Sequence, residues 1–224
     1  MNNLSLTSFV KQFPSIFITG TDTEVGKTFC TSLMTKKLIQ EGVDVFPFKP
    51  IAAGTEYSED LNQEVNEDAM SLHLATNKKY PISQINPIRF APAIAPHIAA
   101  EQDGRVLDFN SLDDALETVS ELGECRLIEG AGGWLLPLNE HQLMSDWVAQ
   151  HEIPVIMVVA IKLGCLNHAL LTAQAIEHAG CELVGWIANF KDRHTDIDLA
   201  NAAFIKQKLK APLLFSVKKG QDSL

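Results

Sequence analysis

The sequence predicts an α/β fold with one doubly wound, mainly parallel β-sheet and helices on both faces. Apolar stretches of strand length alternate with longer amphipathic stretches along most of the chain, and this alternation favours a parallel sheet with crossover helices. The stretch 154–160 is apolar throughout, as in an interior strand that helices cover on both faces. The 224 residues, 46% of them hydrophobic, suit a single domain. We expect that domain to span 15–217, after a short N-terminal extension at 1–14 and before a loose tail at 218–224.

The net charge and the cysteines limit the kinds of ligand and the cellular location that the protein can have. The net charge of −10 argues against general binding to nucleic acids or anionic membranes, since both attract basic surfaces. An anionic ligand must therefore meet a local positive site. The cysteines are scattered, and we expect buried free thiols at Cys30, Cys125, Cys165 and Cys181. With no signal-peptide pattern in 1–13 and no stretch of transmembrane length, the sequence predicts a cytoplasmic protein.

The first strand leads into a candidate phosphate-binding loop. A short apolar stretch at 16–18 precedes Gly20, the loop ends on Gly26-Lys27-Thr28, and a helix pattern follows. In such a loop, backbone N–H groups and the helix N-terminus hold a polyphosphate, the lysine reaches its outer phosphates and the hydroxyl binds Mg²⁺. Five residues separate Gly20 from Gly26 instead of the usual four, so a chance Gly-Lys-Thr at a helix start remains the alternative.

The next strand, expected at 43–48, runs into Lys49. Ligands bind beyond the carboxyl ends of parallel strands, so Lys49 is either a functional lysine in that crevice or an ordinary surface lysine. The polar, acidic stretch 55–67 has no periodicity and predicts a surface loop. Asp68 follows in the first turn of a short helix, where it either balances the helix dipole or binds Mg²⁺.

The middle of the chain carries weaker signals. The stretch 85–90 predicts a weak strand, and His97 precedes a short helix, where capping, packing and chemistry are all open. A helix is expected at 111–122, with Ser111 as its N-cap and Asp114 as the acid at its third position.

A strand then ends at Glu129 and is followed by Gly130, Gly132 and Gly133. An acid in this position suits a second Mg²⁺ contact, and the glycines let the backbone approach a ligand. The alternative is a plain turn with a solvated glutamate.

The last third continues the alternation. After the strand at 154–160, a helix begins near 164–167, and its N-terminus is a further candidate anion site. A strand at 183–190 carries Asn189 near its end, a helix follows at 195–209, and the last strand lies at 212–217. Because parallel strands end at one edge of the sheet, the candidate residues should gather there.

Several motifs together resemble the dethiobiotin synthetase family, over about 15–214. They are 20–28 (Gly-Thr-Asp-Thr-Glu-Val-Gly-Lys-Thr), 49–50 (Lys-Pro), 68–69 (Asp-Ala), 95–98 (Ala-Pro-His-Ile), 129–134 (Glu-Gly-Ala-Gly-Gly-Trp), 162–169 (Lys-Leu-Gly-Cys-Leu-Asn-His-Ala) and 185–189 (Gly-Trp-Ile-Ala-Asn). The extra residue in the loop is the family's own variant. The resemblance implies a P-loop NTPase-like fold and the penultimate step of biotin synthesis.

In that reaction, ATP, CO₂ and 7,8-diaminopelargonic acid give dethiobiotin, ADP and phosphate. The resemblance implies that the diamine first forms a carbamate, that a carbamate oxygen takes the γ-phosphoryl group, and that the second amine closes the ring. It also implies Mg²⁺ and a homodimer, in which the partner subunit supplies a helix N-terminus for the substrate carboxylate. Cations must lie between the two anionic reactants, and Lys27, Lys49 and Mg²⁺ meet that need.

The resemblance assigns roles residue by residue. The implied catalytic residues are Thr23, Glu24, Lys27 and Lys49. The implied nucleotide-binding residues are Asp22, Thr23, Glu24, Val25, Gly26, Lys27, Thr28, Phe29, Glu129, Gly130, Gly132 and Asn189, with Asn189 at the adenine. The implied Mg²⁺ ligands are Thr28, Asp68 and Glu129. The implied substrate-binding residues are Lys49, Ala53, Gly164, Cys165, Leu166 and Asn167.

Two departures from the family keep other functions open. Ala53 stands where the family usually has Ser or Thr, and 215–218 (Phe-Ser-Val-Lys) replaces its Gly-x-Ile-Pro beside the base. A paralogue with altered activity is therefore one alternative. A partition-type or septum-site switch ATPase is another, although the loop lacks their extra early lysine. A cobyrinate-type amide-forming enzyme would need a glutaminase domain that this chain is too short to include. From the sequence we expect Lys27→Ala and Lys49→Ala to lose most turnover and to fold normally.

Overall fold

The computed structural model describes residues 5–191 and 194–224. Strands and helices alternate as the sequence predicts, and we number them in chain order. The strands are β1 (Ser15–Gly20), β2 (Val45–Phe48), β3 (Ile51–Ala53), β4 (Thr55–Ser58), β5 (Gln63–Asn66), β6 (Ile88–Phe90), β7 (Cys125–Glu129), β8 (Val155–Ala160), β9 (Leu183–Phe190) and β10 (Leu213–Lys218). The helices are α1 (Leu6–Val10), α2 (Lys27–Gln40), α3 (Glu67–Ala75), α4 (Ile82–Ile85), α5 (Pro96–Gln102), α6 (Phe109–Glu117), α7 (Met144–Gln150), α8 (Cys165–His178) and α9 (Asp196–Lys208).

The main sheet positions the site. Within the described residues, its six strands run in the order β10-β9-β8-β1-β7-β2, and every pair is parallel. Because β1 lies between β7 and β8, and β7 lies between β1 and β2, the loops that follow these strands meet at one edge. The sequence-based prediction of a mainly parallel sheet is confirmed.

Helices cover both faces of this sheet. Along β1, Phe17 packs into one hydrophobic cluster, whereas Ile16 and Ile18 pack into another on the opposite face. The first cluster includes Ile176 of α8 and Trp147 of α7, and the second includes Leu33, Met34 and Leu38 of α2. A strand buried on both faces cannot alternate between apolar and polar residues, which explains the continuous apolar stretch at β8.

The predicted surface loop at 55–67 is wrong. This segment forms an antiparallel hairpin of β4 and β5, in which Thr55 pairs with Asn66, and the Tyr57 hydroxyl hydrogen-bonds to Asn62 Oδ1 at 2.5 Å. Asn62 takes the left-handed conformation at φ 50°, which asparagine tolerates better than most residues. The strands were missed because both faces of the hairpin are largely polar, so no alternation marked them.

Two further predicted elements need correction. The stretch 85–90 is only partly a strand: α4 ends at Ile85, and β6 pairs with β3 outside the main sheet. Helix α6 begins at Phe109 and ends at Glu117, and its N-cap is Asp108. The Asp108 carboxylate accepts a hydrogen bond from the Ser111 backbone N–H, and the Ser111 hydroxyl accepts one from the Asp108 backbone N–H. Ser111 is therefore the third helical residue of a capping box, not the N-cap.

Helix α1 and His97 are two smaller differences from the sequence-based expectations. The first described residues form α1, which the sequence did not predict, and its fully buried Val10 packs against the α2 face of the sheet. His97 lies inside the first turn of α5, after Pro96 at the first helical position. No helix in the described part of the chain is long and apolar enough to cross a membrane.

Candidate functional site

The ends of β1, β2 and β7 surround a cleft of about 1140 Å³. Of the residues that the sequence proposes for the site, it is lined by Thr23, Glu24, Gly26, Lys27, Thr28, Phe29, Lys49, Ala53, Asp68 and Gly132. Val25, Glu129, Gly130 and Asn189 are buried and do not line it. Asp22 lines an adjoining cavity of about 370 Å³.

The loop after β1 has the geometry of an anion cradle. Gly26 is the N-cap of the 14-residue helix α2, with φ 85° and no side-chain cap, so the first N–H groups of the helix remain available to a ligand. Glu24 also takes a left-handed conformation, at φ 57°. A β-carbon at Gly26 would lie 2.2 Å from Asn189 Nδ2, which requires glycine there. This geometry suits a phosphate-binding loop better than a chance Gly-Lys-Thr at a helix start.

Lys27 points across this loop. Its Nζ donates hydrogen bonds to the carbonyl oxygens of Gly132, at 2.5 Å, and Asp22, at 3.3 Å. Burial, assisted by the nearby charge of Lys49, lowers the pKa of Lys27 from 10.5 to about 8. A ligand phosphate would offer this ammonium the negative charge that two neutral carbonyl groups do not supply.

Lys49 and Glu129 form a buried ion pair. Lys49 Nζ lies 2.8 Å from Glu129 Oε1 and 3.3 Å from Asp68 Oδ2, and the Thr28 hydroxyl donates to Glu129 Oε1 at 2.6 Å. Lys49 is 3% exposed and Glu129 is fully buried. Lys49 is thus not an ordinary surface lysine, and Glu129 is not a solvated turn residue.

The carboxylates hold Lys49 in its charged form. Burial alone would lower the pKa of Lys49, but the charges of Glu129 and then Asp68 outweigh it, and the net pKa is raised. Burial would likewise raise the pKa of Asp68, but the charge of Lys49, the hydrogen bonds from Thr28 and Lys49 and the charge of Lys27 together outweigh it, and the net pKa is lowered. An ammonium next to the phosphate loop therefore persists across the physiological pH range.

The same cluster suits Mg²⁺. Glu129 Oε2 is buried and has no hydrogen-bond partner among the described residues, and an orphaned carboxylate oxygen of this kind suits a cation ligand. No group of three or more His, Cys, Asp and Glu side chains in residues 5–191 and 194–224 could hold a metal by itself. Two carboxylates and the Thr28 hydroxyl match Mg²⁺, which proteins usually bind through one or two carboxylates together with substrate phosphates.

Three asparagines among the described residues hold the backbone of this site. Asn66 Nδ2 donates to the carbonyl oxygens of Ala53 and Gly54, while its Oδ1 caps α3 just before Asp68. Asn86 Nδ2 donates to the Lys49 carbonyl oxygen at 2.7 Å. Asn189 Nδ2 donates to the Val25 carbonyl oxygen at 2.8 Å. Sequence reasoning missed Asn66, although an asparagine directly before a helix is an N-cap signal, and it missed Asn86, which no local pattern marks.

The segment 164–167 does not join the other site residues within one chain. It forms the start of α8, with Gly164 at φ 92° as the N-cap, and it does not line the cleft. Cys165 is 2% exposed, whereas the preceding Leu163 is 92% exposed. In the single chain this helix N-terminus faces solvent, outside the phosphate site.

Comparisons with known proteins identify the family. A family model described as an AAA domain matches residues 14–223. An ATP-dependent dethiobiotin synthetase of Pseudoalteromonas translucida (strain TAC 125) is 47% identical over 201 residues, which cover 88% of this chain and 87% of the relative. One of Yersinia pestis bv. Antiqua (strain Angola) is 42% identical over 198 residues, covering 88% and 82%. The chain belongs to the dethiobiotin synthetase family.

Solved structures show the wider relationship of this synthetase-family chain. The septum site-determining protein MinD of Pyrococcus horikoshii OT3, complexed with Mg-ADP, aligns with a TM-score of 0.55 and 17% identity, covering 92% of this chain and 82% of MinD. A ParA family ATPase of Chlorobium tepidum TLS aligns with a TM-score of 0.51 and 12% identity, covering 94% and 85%. At these identities the likeness shows the fold alone, which is that of P-loop ATPases.

Proposed function

We propose that the protein is an ATP-dependent dethiobiotin synthetase that converts 7,8-diaminopelargonic acid, CO₂ and ATP into dethiobiotin, ADP and phosphate. The observation that carries the proposal is that Lys27 and Lys49 line one cleft, where the buried Glu129 pairs with Lys49. Membership of the dethiobiotin synthetase family supports the substrates. The free, buried cysteines agree with a cytoplasmic location.

In the proposed mechanism, the two lysines bring two anions together. The loop N–H groups and Lys27 bind the ATP phosphates, and Lys49 lies where it can neutralise the carbamate and the γ-phosphate. Thr23 and Glu24 lie on the exposed side of the loop and line the cleft, so they can contact the carbamate. A carbamate oxygen attacks the γ-phosphorus and ADP leaves. The second amine then attacks the carbamate carbon, closing the ring and releasing phosphate.

Thr28, Asp68 and Glu129 are the proposed Mg²⁺ ligands. Bound there, Mg²⁺ would neutralise negative charge on the phosphate oxygens. Glu129→Gln keeps the shape of the side chain but removes its charge. We expect the Mg²⁺ concentration for half-maximal rate to rise by about 10-fold or more, since even loss of a supporting group costs a metal site that much. A Mg²⁺ titration at saturating ATP measures it. Exposed Glu177→Gln is the control, and equal Mg²⁺ dependence in both variants would remove Glu129 from the site.

We propose that Ala53 lowers the affinity of the site for its substrate, because it lacks the hydroxyl group that the family usually has at this position. It is half-buried in the cleft wall, and its methyl group cannot hydrogen-bond, so a hydroxyl side chain there could add a hydrogen bond to the substrate. We expect Ala53→Ser to raise kcat/KM for the diamine by about 2- to 10-fold, which corresponds to one added hydrogen bond. Steady-state kinetics with varied diamine measure it, with Ala53→Val as the size control. If both variants lowered kcat/KM equally, no hydroxyl partner would exist in the substrate.

A homodimer would give the N-terminus of α8 a role. The helix has 14 residues and its first N–H groups lack a side-chain cap, so it can bind the substrate carboxylate. Because the segment 164–167 lies outside this chain's cleft, we place it over the partner's cleft. This arrangement puts residues from both chains into each site.

Mixing two inactive variants tests the shared site. Lys27→Ala and Gly164→Val should each be inactive alone, the second because a branched residue is strained at φ 92°. Refolded together in equal amounts, they should recover about a quarter of wild-type turnover, because half the dimers are mixed and each mixed dimer has one intact site. Each variant refolded alone is the control. No recovery, with mixed dimers present by native mass spectrometry, would contradict the shared site.

The activity itself is tested by omission. Phosphate release from MgATP is measured with diaminopelargonic acid and bicarbonate, leaving out each in turn, and dethiobiotin is detected by its mass. We expect release that requires both substrates. ATP binding without diamine-dependent turnover would support the altered paralogue instead, for which the substitution at Ala53 is the motivating observation, and other amines would then be tried in the same assay.

A further inference from the structure

The side chain of Asn189 contacts the backbone of the phosphate loop. It lies near the end of β9, 2% exposed, and its Nδ2 donates to the Val25 carbonyl oxygen at 2.8 Å, across 164 residues of sequence. The same amide nitrogen packs so closely on Gly26 that a β-carbon there would lie 2.2 Å away. One buried side chain thus touches two consecutive residues directly before Lys27.

The loop is fixed at this point from two sides. Val25 is 1% exposed, and its Cγ2 would lie 2.5 Å from a β-carbon on Gly20, so its side chain packs closely over the end of β1. The Gly26 carbonyl oxygen accepts the first hydrogen bond of α2, from Cys30 N–H at 3.0 Å. The Asn189 bond to Val25 therefore ties β9 to the turn that sets the direction of Lys27 and of the first N–H groups of α2.

We propose that Asn189 is a positioning residue for phosphate binding, whose amide holds the loop in its anion-binding conformation whatever base the nucleotide carries. This role is additional to the adenine contact that the family resemblance implies, and the two are separable, since a base contact would affect only ligands that have a base. The inference rests on the proposed nucleotide site, but not on the proposed reaction.

A ligand without a base separates the two roles. Binding of ATP and of inorganic tripolyphosphate, each with Mg²⁺, is measured by calorimetry for the wild type and for Asn189→Ala. We expect tripolyphosphate to bind about 2- to 10-fold more weakly to the variant, which is the cost of one hydrogen bond, and ATP to lose at least as much affinity. Hydrogen exchange of the ligand-free amides at 22–27 should also quicken in the variant.

The control is Asn139→Ala, which removes a similar bond, from Asn139 Nδ2 to the Leu107 carbonyl oxygen, outside the cleft lining. It should leave both affinities unchanged. If Asn189→Ala does not fold, Asn189→Leu keeps the side-chain volume without the donor, and the same two affinities are measured.

Unchanged tripolyphosphate affinity with weakened ATP binding would overturn the proposal in favour of adenine recognition. Unchanged affinity for both ligands would also overturn it. If the wild-type protein bound neither ligand, the proposed nucleotide site would be refuted, and this inference with it. Failure of the nucleotide site would therefore appear in the wild type, whereas failure of the Asn189 inference alone would appear only in the variant.

Discussion

Replacing Lys49 with methionine is expected to lower kcat by about 10²- to 10³-fold, the usual cost of losing one group that stabilises developing charge. Lys49 brings an ammonium into the cleft within 3.3 Å of Asp68 and 2.8 Å of Glu129, and methionine fills the space without the charge. Phosphate release at saturating ATP, bicarbonate and diamine measures the effect. Exposed Lys206→Met on α9 is the matched control and should retain the wild-type rate.

The structure also changes the expected effect of Lys49 on stability. From sequence we expect Lys49→Ala to fold normally, but Glu129 is fully buried and loses its cationic partner in that variant. Breaking a buried pair by removing one partner costs about 3–5 kcal/mol of unfolding free energy. We therefore expect a clear fall in the urea midpoint for Lys49→Met. The double variant Lys49→Met/Glu129→Gln should regain much of that loss and remain inactive. A double variant that regained turnover would show that Lys49 acts only through folding.

Replacing Lys27 with methionine should likewise lower kcat by about 10²- to 10³-fold and weaken ATP binding. Lys27 is 7% exposed, and within residues 5–191 and 194–224 its ammonium is held only by carbonyl groups. Unlike Lys49, it has no carboxylate in direct contact in that part of the chain, so its removal leaves no buried charge there unpaired. We expect the variant to keep the wild-type urea midpoint. A loss of turnover that tracked a loss of stability would contradict this assignment.

The lowered pKa of Lys27 predicts a pH dependence. With a pKa of about 8, Lys27 is mainly charged below pH 8 and mainly neutral above it. A polyphosphate favours the charged form, so affinity for ATP should fall as the pH rises through 8. Binding of ATP at pH 8 should also take up about half a proton per site, because Lys27 is neutral in half of the protein molecules at that pH. Calorimetry in two buffers of different ionisation enthalpy measures the uptake, which should vanish in Lys27→Met. Proton uptake that persisted in the variant would assign it to another group.

Most of the sheet and the phosphate loop could be predicted from the sequence because their signals are local. The glycines, Lys27 and Thr28 lie within nine consecutive residues between a strand and a helix, and the apolar run at 154–160 marks an interior strand by itself. Lys49 and Glu129 could be placed at the sheet edge because Lys49 directly follows a strand and Glu129 is the last residue of one. Their direct contact at 2.8 Å depends on β2 lying next to β7, an order that periodicity does not give.

What the sequence could not show depends on contacts between distant residues. Asn86 reaches Lys49 across 37 residues and Asn189 reaches Val25 across 164, and an isolated asparagine gives no sign of its partner. The hairpin at 55–66 was missed because its strands are short and polar, and their pairing stabilises them more than their own propensity does. The N-cap of α6 was misplaced by three residues because Asp108 and Ser111 are both good N-cap residues, and only the geometry separates them.

The central claim, that a carbamate oxygen takes the γ-phosphoryl group between Lys27 and Lys49, is tested most directly by following oxygen. The reaction is run with ¹⁸O-labelled bicarbonate in unlabelled water, and phosphate and dethiobiotin are analysed by mass spectrometry. The mechanism predicts one labelled oxygen in each released phosphate, carried from the carbamate, and one in the ring carbonyl of each dethiobiotin. Unlabelled phosphate formed together with labelled dethiobiotin would contradict the account, because ATP would then have transferred its phosphoryl group to water.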